Sequence, residues 1–537
     1  MTHPAVTALL DRLDAAQRRA ATVPSGPVLC VAPAGSGKTS TLVARVAWLI
    51  DGGAAPESIC AITFNKRAAE ELRERVAAAL APLGDGQATR VRIRTFHALG
   101  LEMLRDAGQA IQPLLDRDEI LRAVRPDASL AERRRLDTIL SRFKLDLDID
   151  PEVIAGDPEA GPVARTYAAY EAEIRRRGGL DFDDLVARAL RLLERDASAL
   201  AAWRGRCRDI LVDESQDLDR AQLRLATLLA APANRIFLVG DDDQSIYGWR
   251  LADVRRLLGL AETALPGLRR HDLETNYRCP GIVVERAVRL VEHNSERFAK
   301  VIRSRPEAPG RLILAPSAAD IDALDTCTAL LRSWPADGTT RAILARTNRE
   351  LIPAVAACLD LDIPFRARDL ELPVESPRMD ELIASAAHQN PQMPLLARLV
   401  RARHGAPREL DEVAGALLAW APRYPDLASL TAAIADVRAR LARLRRDDAP
   451  LSLATVHGTK GLEFDHVAVI GLDDGRFPSA RSVAEAEDPA RALQEERRLA
   501  YVAWTRARRS LTLSYDPAAP SQFLREAFDP EELRAVA

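Results

Sequence analysis

Short apolar runs alternate along the chain with longer segments in which apolar residues recur every three or four positions. Runs of about four to eight apolar residues are typical of strands buried on both faces, and the longer segments are typical of amphipathic helices. Strands that alternate with helices form parallel sheets. The pattern therefore predicts an α/β protein with two such sheets. The first sheet takes its strands from residues 27–33, 59–64, 91–96, 209–214 and 235–241, and the second from 311–316, 341–347, 451–457, 466–472 and 510–515.

Two long segments lack runs of this kind and are rich in charged residues, leucine and alanine, which is typical of helices. They are residues 101–180 and 368–448, and we interpret them as helical insertions in the two sheet domains. The predicted organisation is a first sheet domain of residues 1–100 and 181–275 with its insertion, and a second of residues 276–367 and 449–537 with a reduced insertion.

The composition narrows the class of protein without deciding its function. Hydrophobic residues make up 47% of the 537 residues and the net charge is −3, which excludes disordered and collagen-like chains. No apolar stretch approaches the length of a membrane span. The six cysteines form no CxxC pair, so we expect no structural metal and a reducing compartment, the cytoplasm.

Lysine is scarce, because nearly all of the 75 basic residues are arginine. A chain with so little lysine can retain it where a compact positive charge is needed. The five lysines are Lys38, Lys66, Lys144, Lys300 and Lys460. The sequence suggests no role for Lys144 or Lys300.

A phosphate-binding loop is indicated by APAGSGKTS at residues 32–40, directly after the first predicted strand. The pattern is GxxxxGK(S/T) with Ala32 in place of the first glycine, and a chance glycine turn is the alternative. Backbone N–H groups of such a loop surround phosphate, the lysine reaches the β- and γ-phosphates, and the hydroxyl binds Mg²⁺. The candidate residues for ATP are Ala34, Gly35, Ser36, Gly37, Lys38, Thr39 and Ser40, with Thr39 also a candidate ligand of Mg²⁺.

Acidic residues end the fourth predicted strand, where Asp213 and Glu214 follow ILV. At the carboxyl edge of a parallel sheet, Asp213 can hold Mg²⁺ while Glu214 polarises the water that attacks the γ-phosphate. A helix N-cap with acidic first-turn residues is the alternative. After the next strand, Gln244 in VGDDDQSIYGWR is a candidate sensor of the γ-phosphate.

Further motifs follow in order, and together they resemble superfamily 1 DNA helicases of the UvrD/Rep/PcrA type. This resemblance implies two RecA-like P-loop NTPase lobes with parallel sheets, each carrying a mainly helical insertion, and ATP bound between them. The motifs are LDAAQRRA (13–20), ITFNKRAAEELRERV (62–76), RTFHALG (94–100), LDFDDL (180–185), LETNYRCP (273–280), AILARTN (342–348), VHGTKGLEF (456–464) and EERRLAYVAWTRA (495–507).

The resemblance implies further nucleotide contacts: Gln17 recognises adenine, Tyr277 stacks on it, Glu463 meets the ribose, and Lys460 lies near the same cleft. Arg278 and Arg506 are expected from the second sheet domain, so they reach the γ-phosphate only when the lobes close. Surface arginine is the alternative for both.

The DNA contacts implied by the resemblance combine base stacking with phosphate binding. Phe64, Tyr247 and Trp249 are the expected stacking residues, with Arg250 beside Trp249; because Phe64 ends an apolar strand, a place in the core is its alternative. The other expected contacts are Thr95, His97, Arg346, Asn348 and His457.

The chain also departs from the family pattern. Lys66 and Arg67 stand where the family usually has asparagine and lysine, the second insertion is short and lacks a TxxGIG-like hairpin, and the sequence ends soon after PSQFL without a C-terminal extension. We therefore expect an ATP-dependent 3′-to-5′ helicase and translocase acting on single-stranded DNA and on junctions with duplex, in DNA repair or in replication and recombination. The alternatives are a translocase or protein-stripping motor with little unwinding, and an ATP-gated clamp on single-stranded DNA. No protein partner is indicated.

Overall fold

The structure is a computed structural model whose contacts divide the chain into two compact units. The first unit comprises Met1–Arg278 and Val291–Ala308, and the second comprises Cys279–Leu290 and Pro309–Ala537. Residues 276–278 and 291–308, which the sequence analysis assigned to the second sheet domain, thus group by their contacts with the first unit. The structure describes residues 2–84, 86–109, 111–145, 151–157, 160–317, 323–335, 337–404 and 411–534.

The first unit is built on a six-stranded sheet in which every pair of neighbours is parallel. Its strand order is β3-β2-β4-β5-β1-β6. A separate two-stranded parallel pair joins β7 and β8. The strands are β1 (Val28–Val31), β2 (Ile59–Thr63), β3 (Arg92–Thr95), β4 (Asp209–Val212), β5 (Ile236–Gly240), β6 (Arg269–Asp272), β7 (Thr275–Asn276) and β8 (Arg303–Ser304).

The central strands are buried on both faces, as their continuous apolar sequence predicts. Along β1, for example, Leu29 packs into one apolar cluster, whereas Val28 and Cys30 pack into the cluster on the opposite face. The helices of this unit are α1 (Pro4–Asp11), α2 (Ala15–Thr22), α3 (Lys38–Asp51), α4 (Lys66–Leu80), α5 (Gln87–Arg90), α6 (Phe96–Asp106), α7 (Arg117–Val124), α8 (Leu130–Leu145), α9 (Pro151–Ala155), α10 (Pro162–Arg177), α11 (Asp184–Arg195), α12 (Ala197–Arg206), α13 (Arg220–Ala230), α14 (Val254–Leu258) and α15 (Leu260–Thr263).

Helices α7–α10 fill the segment interpreted as the first insertion, and they pack around a small apolar cluster of their own. Lys144 at the end of α8 is only 1% exposed. Its Nζ lies 2.8 Å from Glu171, 2.8 Å from Asp181 and 3.0 Å from Asp184. Because a buried ammonium requires paired carboxylates, this cluster attaches α8 to α10 and to the LDFDDL segment that precedes α11. Lys144 therefore has a structural role that the sequence did not suggest.

The second unit contains another six-stranded parallel sheet, in the order β11-β12-β10-β13-β14-β9. Its strands are β9 (Arg311–Pro316), β10 (Arg341–Ala345), β11 (Phe365–Arg366), β12 (Leu451–Thr455), β13 (Phe464–Val469) and β14 (Ala507–Tyr515). Its helices are α16 (Gly281–Val291), α17 (Ala323–Ser333), α18 (Ile352–Asp360), α19 (Pro377–Ala387), α20 (Leu395–His404), α21 (Asp411–Trp420), α22 (Leu427–Leu444), α23 (Ala480–Ala484), α24 (Pro489–Trp504), α25 (Gln522–Ala527) and α26 (Pro530–Arg534).

The α/β class with two parallel sheets is confirmed, and each of the ten predicted strands is present. Two sheet strands were missed. Strand β6 has the sequence RRHD and lies at an edge, where its backbone pairs with β1 although its side chains remain partly exposed. Strand β11 is only two residues long. Within the described residues, no helix is both long enough and apolar enough to cross a membrane.

Candidate functional site

The phosphate loop connects the end of β1 to the first turn of α3. Gly35 and Gly37 have φ values of +68° and +83°, a conformation that favours glycine. A Cβ atom at Gly37 would lie 2.5 Å from Gln17 Nε2. The hydroxyl of Ser36 is buried and has no hydrogen-bond partner. A cradle without room for side chains, at the N-terminus of a helix and with an unsatisfied hydroxyl, fits a phosphate group.

Ala32 shows why the missing first glycine is tolerated. Its N–H donates to the carbonyl of Gly240 at 2.8 Å, which continues the pairing of β1 with β5. The left-handed residues of this loop are the two glycines further along, and Ala32 is not among them. The first position of this loop therefore does not require glycine.

The carboxylates at the end of β4 lie at the same edge of the sheet. Glu214 has a left-handed backbone, with φ of +52°, and its Oε1 lies 3.7 Å from Lys38 Nζ. Its own N–H donates to Asp213 Oδ1 at 2.9 Å. Non-glycine residues in this conformation are strained and are concentrated at functional sites. The structure thus brings Glu214 to Lys38, as expected for a residue acting at the γ-phosphate.

A chain of hydrogen bonds connects Glu214 to the candidate sensor Gln244. Gln216 Nε2 donates to Glu214 Oε2 at 2.5 Å, and the N–H of Asp241 donates to Gln216 Oε1 at 3.0 Å. Gln244 Nε2 then donates to Asp241 Oδ2 at 2.7 Å. A Cβ atom at Gly240 would lie 2.6 Å from Gln216 Oε1, so only glycine fits there. The network spans the adjacent ends of β4 and β5.

A hydroxyl and a carboxylate are available for Mg²⁺. Thr39 lies in the first turn of α3 and Asp213 directly follows β4, and both side chains are partly exposed. Oxygen ligands of this kind suit Mg²⁺. Asp241, Asp242 and Asp243 also lie close enough together for an ion, but Lys300 Nζ is within 3.2 Å of Asp241 and 2.8 Å of Asp243. An internal ammonium thus takes the place of a metal in that cluster.

A cleft of about 590 Å³ adjoins the phosphate loop within the first unit. Tyr277 borders it with its side chain 41% exposed, while its N–H donates to Gly35 O at 2.9 Å and its hydroxyl to Asp14 Oδ2 at 2.6 Å. Gln17 donates from Nε2 to Ser36 O at 2.8 Å and is fixed by a capping box with Asp14. Ser40 also borders the cleft. An aromatic face and an amide beside a phosphate loop suit a purine base.

Arg278 follows Tyr277 and lies against the phosphate loop. A Cβ atom at Gly35 would be 2.8 Å from Arg278 Cβ, and the N–H of Arg278 donates to Asn276 Oδ1 at 2.8 Å. The sequence analysis expected this arginine in the second sheet domain, whereas its contacts place it in the first unit.

An aromatic surface is formed by Phe64, Tyr247 and Trp249. Phe64 and Tyr247 stack with their ring centroids 5.0 Å apart, and Trp249 meets Tyr247 edge-on at 6.1 Å. Arg250 lies over Trp249 at 4.5 Å, and Trp249 is 54% exposed. Phe64 is half-buried, so it is not a core residue. Exposed stacked rings beside an arginine suit single-stranded nucleic acid.

A second aromatic contact, between His97 and Phe182, continues this type of surface. The two rings stack at 3.9 Å, and Phe182 is 52% exposed. Burial lowers the pKa of His97 to about 4; Asp183 opposes this shift and Arg250 adds to it. Thr95 lies nearby and accepts from the N–H of Ala98 as the N-cap of α6. The sequence analysis missed Phe182, although an isolated aromatic between aspartates in LDFDDL was a signal.

The predicted residues of the second unit lie at two neighbouring strand ends. Arg346 follows β10 and donates from Nε and Nη2 to Glu496. Asn348 donates to Asp369 O at 3.0 Å. His457 follows β12, and burial, aided by the charges of Arg346 and Lys460, lowers its pKa to about 4.

Arg506 and Glu463 also belong to the second unit. Arg506 is only 1% exposed and donates to the carbonyls of Val502 and Leu462 at 2.9 and 3.1 Å. It is therefore not the surface arginine offered as its alternative. Glu463 pairs with Arg508. The described contacts thus orient both side chains within this unit.

Comparison with known proteins decides the family. Residues 13–264 match the UvrD/REP helicase N-terminal domain, and residues 426–517 match the UvrD-like helicase C-terminal domain. The chain belongs to the UvrD/Rep helicase family. It is 28% identical to DNA helicase II of Escherichia coli over 95% of this chain and 85% of that protein. It is 26% identical to the ATP-dependent DNA helicase PcrA of Staphylococcus epidermidis over 98% of this chain and 88% of that protein.

The two matched regions of this UvrD/Rep family member divide the predicted site residues. The N-terminal match includes the phosphate loop, Glu214, Gln244 and the aromatic surface, and the C-terminal match includes His457, Glu463 and Arg506. The RecA-like P-loop fold expected from the sequence is thereby confirmed. The roles of the individual residues remain predictions.

Proposed function

We propose that this chain is an ATP-dependent DNA helicase that translocates 3′ to 5′ along single-stranded DNA and acts at junctions with duplex DNA. The polarity rests on the family resemblance. The observation that best supports the proposal is the segment 241–250, in which Gln244 belongs to the hydrogen-bond network of Glu214 and Tyr247 and Trp249 belong to the exposed aromatic surface. Only a few residues therefore separate the candidate ATP-sensing group from the candidate base-stacking groups.

The residues of the first unit supply most of the chemistry for ATP hydrolysis. The phosphate loop binds the phosphates, Lys38 neutralises charge on the β- and γ-phosphates, and Glu214 polarises the attacking water. A Mg²⁺ ion held by Thr39 and Asp213 would add charge neutralisation on the phosphates. Tyr277 and Gln17 bind the base. In this proposal Arg278 stabilises charge on the γ-phosphate, and Arg506 and Glu463 contribute when the second unit closes on ATP.

DNA movement follows from changes in base stacking. A stacked base contributes about 1–3 kcal/mol, whereas a step of duplex costs about 1.4 kcal/mol to open. A change at Gln244 that shifts Tyr247 and Trp249 can therefore exchange one stacked base for the next and compete with base pairing. Phe182 and His97 extend the stacking surface, and His97, Thr95, Arg346, Asn348 and His457 are the proposed backbone contacts.

The first test is steady-state ATPase activity with and without single-stranded DNA. We expect DNA to stimulate the wild type. Lys38→Ala should lose both ATP binding and turnover, whereas Glu214→Gln should keep ATP binding and lose turnover by about 10²-fold or more. ATPase activity that does not respond to DNA would refute the proposal.

A translocase with little unwinding activity is the second candidate. The alignment to the Escherichia coli relative extends over 623 positions, although this chain has only 537 residues, so that relative carries segments absent here. The reduced second insertion predicted at residues 368–448 is one place for such a difference. Strand displacement on 3′-tailed and 5′-tailed duplexes separates the two functions, because a helicase of the proposed polarity opens the 3′-tailed substrate and a pure translocase opens neither. Single-turnover ATP hydrolysis separates both from an ATP-gated clamp.

We also propose that the protein acts in the cytoplasm, in DNA repair or in replication and recombination. All six cysteines are buried free thiols, which fits a reducing compartment. The pathway rests on the family resemblance, and sensitivity of a deletion strain to DNA damage tests it.

A further inference from the structure

Lys300 is buried among three carboxylates of the segment that carries Gln244. Its side chain is fully buried, and its Nζ lies 3.2 Å from Asp241 Oδ1 and 2.8 Å from Asp243 Oδ2 and also contacts Asp242 Oδ1. Burial opposes the charged form, but the three carboxylates raise the pKa of Lys300 above the ordinary value for lysine. An ammonium in this position carries full charge at neutral pH.

A second cation and a backbone group complete the cluster. Arg297 binds Asp243 through two parallel hydrogen bonds of 3.0 and 2.9 Å. The N–H of Phe298 donates to Asp242 Oδ2 at 2.8 Å. Two cations therefore face three carboxylates, and the segment 291–308 is attached firmly to the segment 241–250. Along the chain, this segment lies between two stretches that belong to the second unit.

The carboxylate of Asp241 connects this cluster to the hydrolysis site. Its Oδ1 binds Lys300, and its Oδ2 accepts the 2.7 Å hydrogen bond from Gln244 Nε2. An ionised carboxylate only accepts hydrogen bonds, so Gln244 must present its NH₂ group to Asp241 and direct its carbonyl oxygen elsewhere. The N–H of the same aspartate holds Gln216, which holds Glu214. The position of one carboxylate thus fixes the orientation of the candidate sensor.

We propose that Lys300 is a positioning residue for ATP hydrolysis, which fixes the Asp241 carboxylate so that Gln244 keeps one amide orientation towards the γ-phosphate. This inference rests on the proposed ATPase function. Without the ammonium, repulsion from Asp242 and Asp243 displaces the Asp241 carboxylate, and Gln244 loses its fixed partner. Small displacements of groups that act on the reaction cost up to about 10²-fold in rate.

Two variants test this role without depending on one fold. Lys300→Met removes the ammonium and keeps most of the side-chain volume. Lys300→Met combined with Asp242→Asn leaves one cation facing two carboxylates, so its net charge equals that of the wild-type cluster. Lys144→Met is the matched control, because it removes another buried lysine that is paired with three carboxylates in the same unit.

The measurements are kcat and KM for ATP and the Kd of a non-hydrolysable ATP analogue, each on variants shown to be folded by circular dichroism. We expect the charge-matched double variant to lose about 10- to 100-fold in kcat and to keep the Kd of the analogue within about threefold of wild type, because the phosphate loop and Tyr277 are unchanged. Lys144→Met should keep the wild-type kcat.

A cycle with Gln244→Ala decides whether Lys300 acts through the glutamine. If it does, adding the charge-matched change to Gln244→Ala lowers kcat by less than about threefold. Full multiplication of the two effects, or wild-type kcat in the folded double variant, would overturn the inference alone. A wild-type chain without DNA-stimulated ATPase activity would overturn the proposed function, and the inference with it.

Discussion

Removing the indole of Trp249 should weaken single-stranded DNA binding without changing nucleotide binding. Arg250 covers one side of the ring at 4.5 Å, and Tyr247 meets it edge-on at 6.1 Å. One face of the ring therefore remains for one base. A single stacked base contributes about 1–3 kcal/mol, and 1.4 kcal/mol corresponds to a factor of ten, so Trp249→Ala should raise the Kd for DNA by about 5- to 140-fold.

The same substitution should have little effect on stability. Because the side chain is 54% exposed, the free energy of unfolding should change by no more than about 0.5 kcal/mol. The matched control is Tyr277→Ala, which removes an aromatic ring that is 41% exposed beside the phosphate loop. It should raise the KM for ATP and leave DNA affinity unchanged.

Fluorescence anisotropy of a labelled oligonucleotide, at one fixed salt concentration because phosphate contacts depend on salt, measures the DNA affinity. Steady-state ATPase assays at saturating DNA measure the KM. Wild-type DNA affinity in Trp249→Ala would refute the assignment of this surface to base stacking. An equal loss of DNA affinity in Tyr277→Ala would refute the separation of the two sites.

Three further predictions concern stability and its dependence on pH. Lys144→Met leaves three carboxylates without their ammonium, and urea unfolding should show a loss of about 3–5 kcal/mol; a loss below about 1 kcal/mol would contradict a structural role. Burial raises the pKa of Asp219 to about 7, so the native state loses stability as pH rises from about 4 to 7; Asp219→Asn, which still accepts from the N–H of Gln222, should be more stable than wild type by about 1–3 kcal/mol at pH 8, and equal stability at pH 8 would argue against a buried charge. Burial lowers the pKa of His97 to about 4, below its unfolded value of about 6.5, so its contribution is present above pH 6.5 and is lost as pH falls towards 4. His97→Gln should flatten the unfolding free energy over this range, and an unchanged pH profile would count against the burial of His97.

The sequence by itself determined the order of the sheet strands and their chemistry. A strand buried on both faces must be continuously apolar, so its run is visible locally, and the residues that act on phosphate follow such runs directly at Lys38, Glu214 and Gln244. Strand β6 escaped this reading because an edge strand requires backbone pairing but not apolar side chains.

Only the tertiary structure decided the roles of Lys144 and Lys300. A lysine in the sequence indicates an exposed charge, because its burial depends on carboxylates that other segments supply. For Lys144 these include Asp181, which lies 37 positions away, and for Lys300 they include Asp242, which lies 58 positions away. Such pairing has no local pattern in the sequence, since only folding brings the charges together and makes the burial of an ammonium possible.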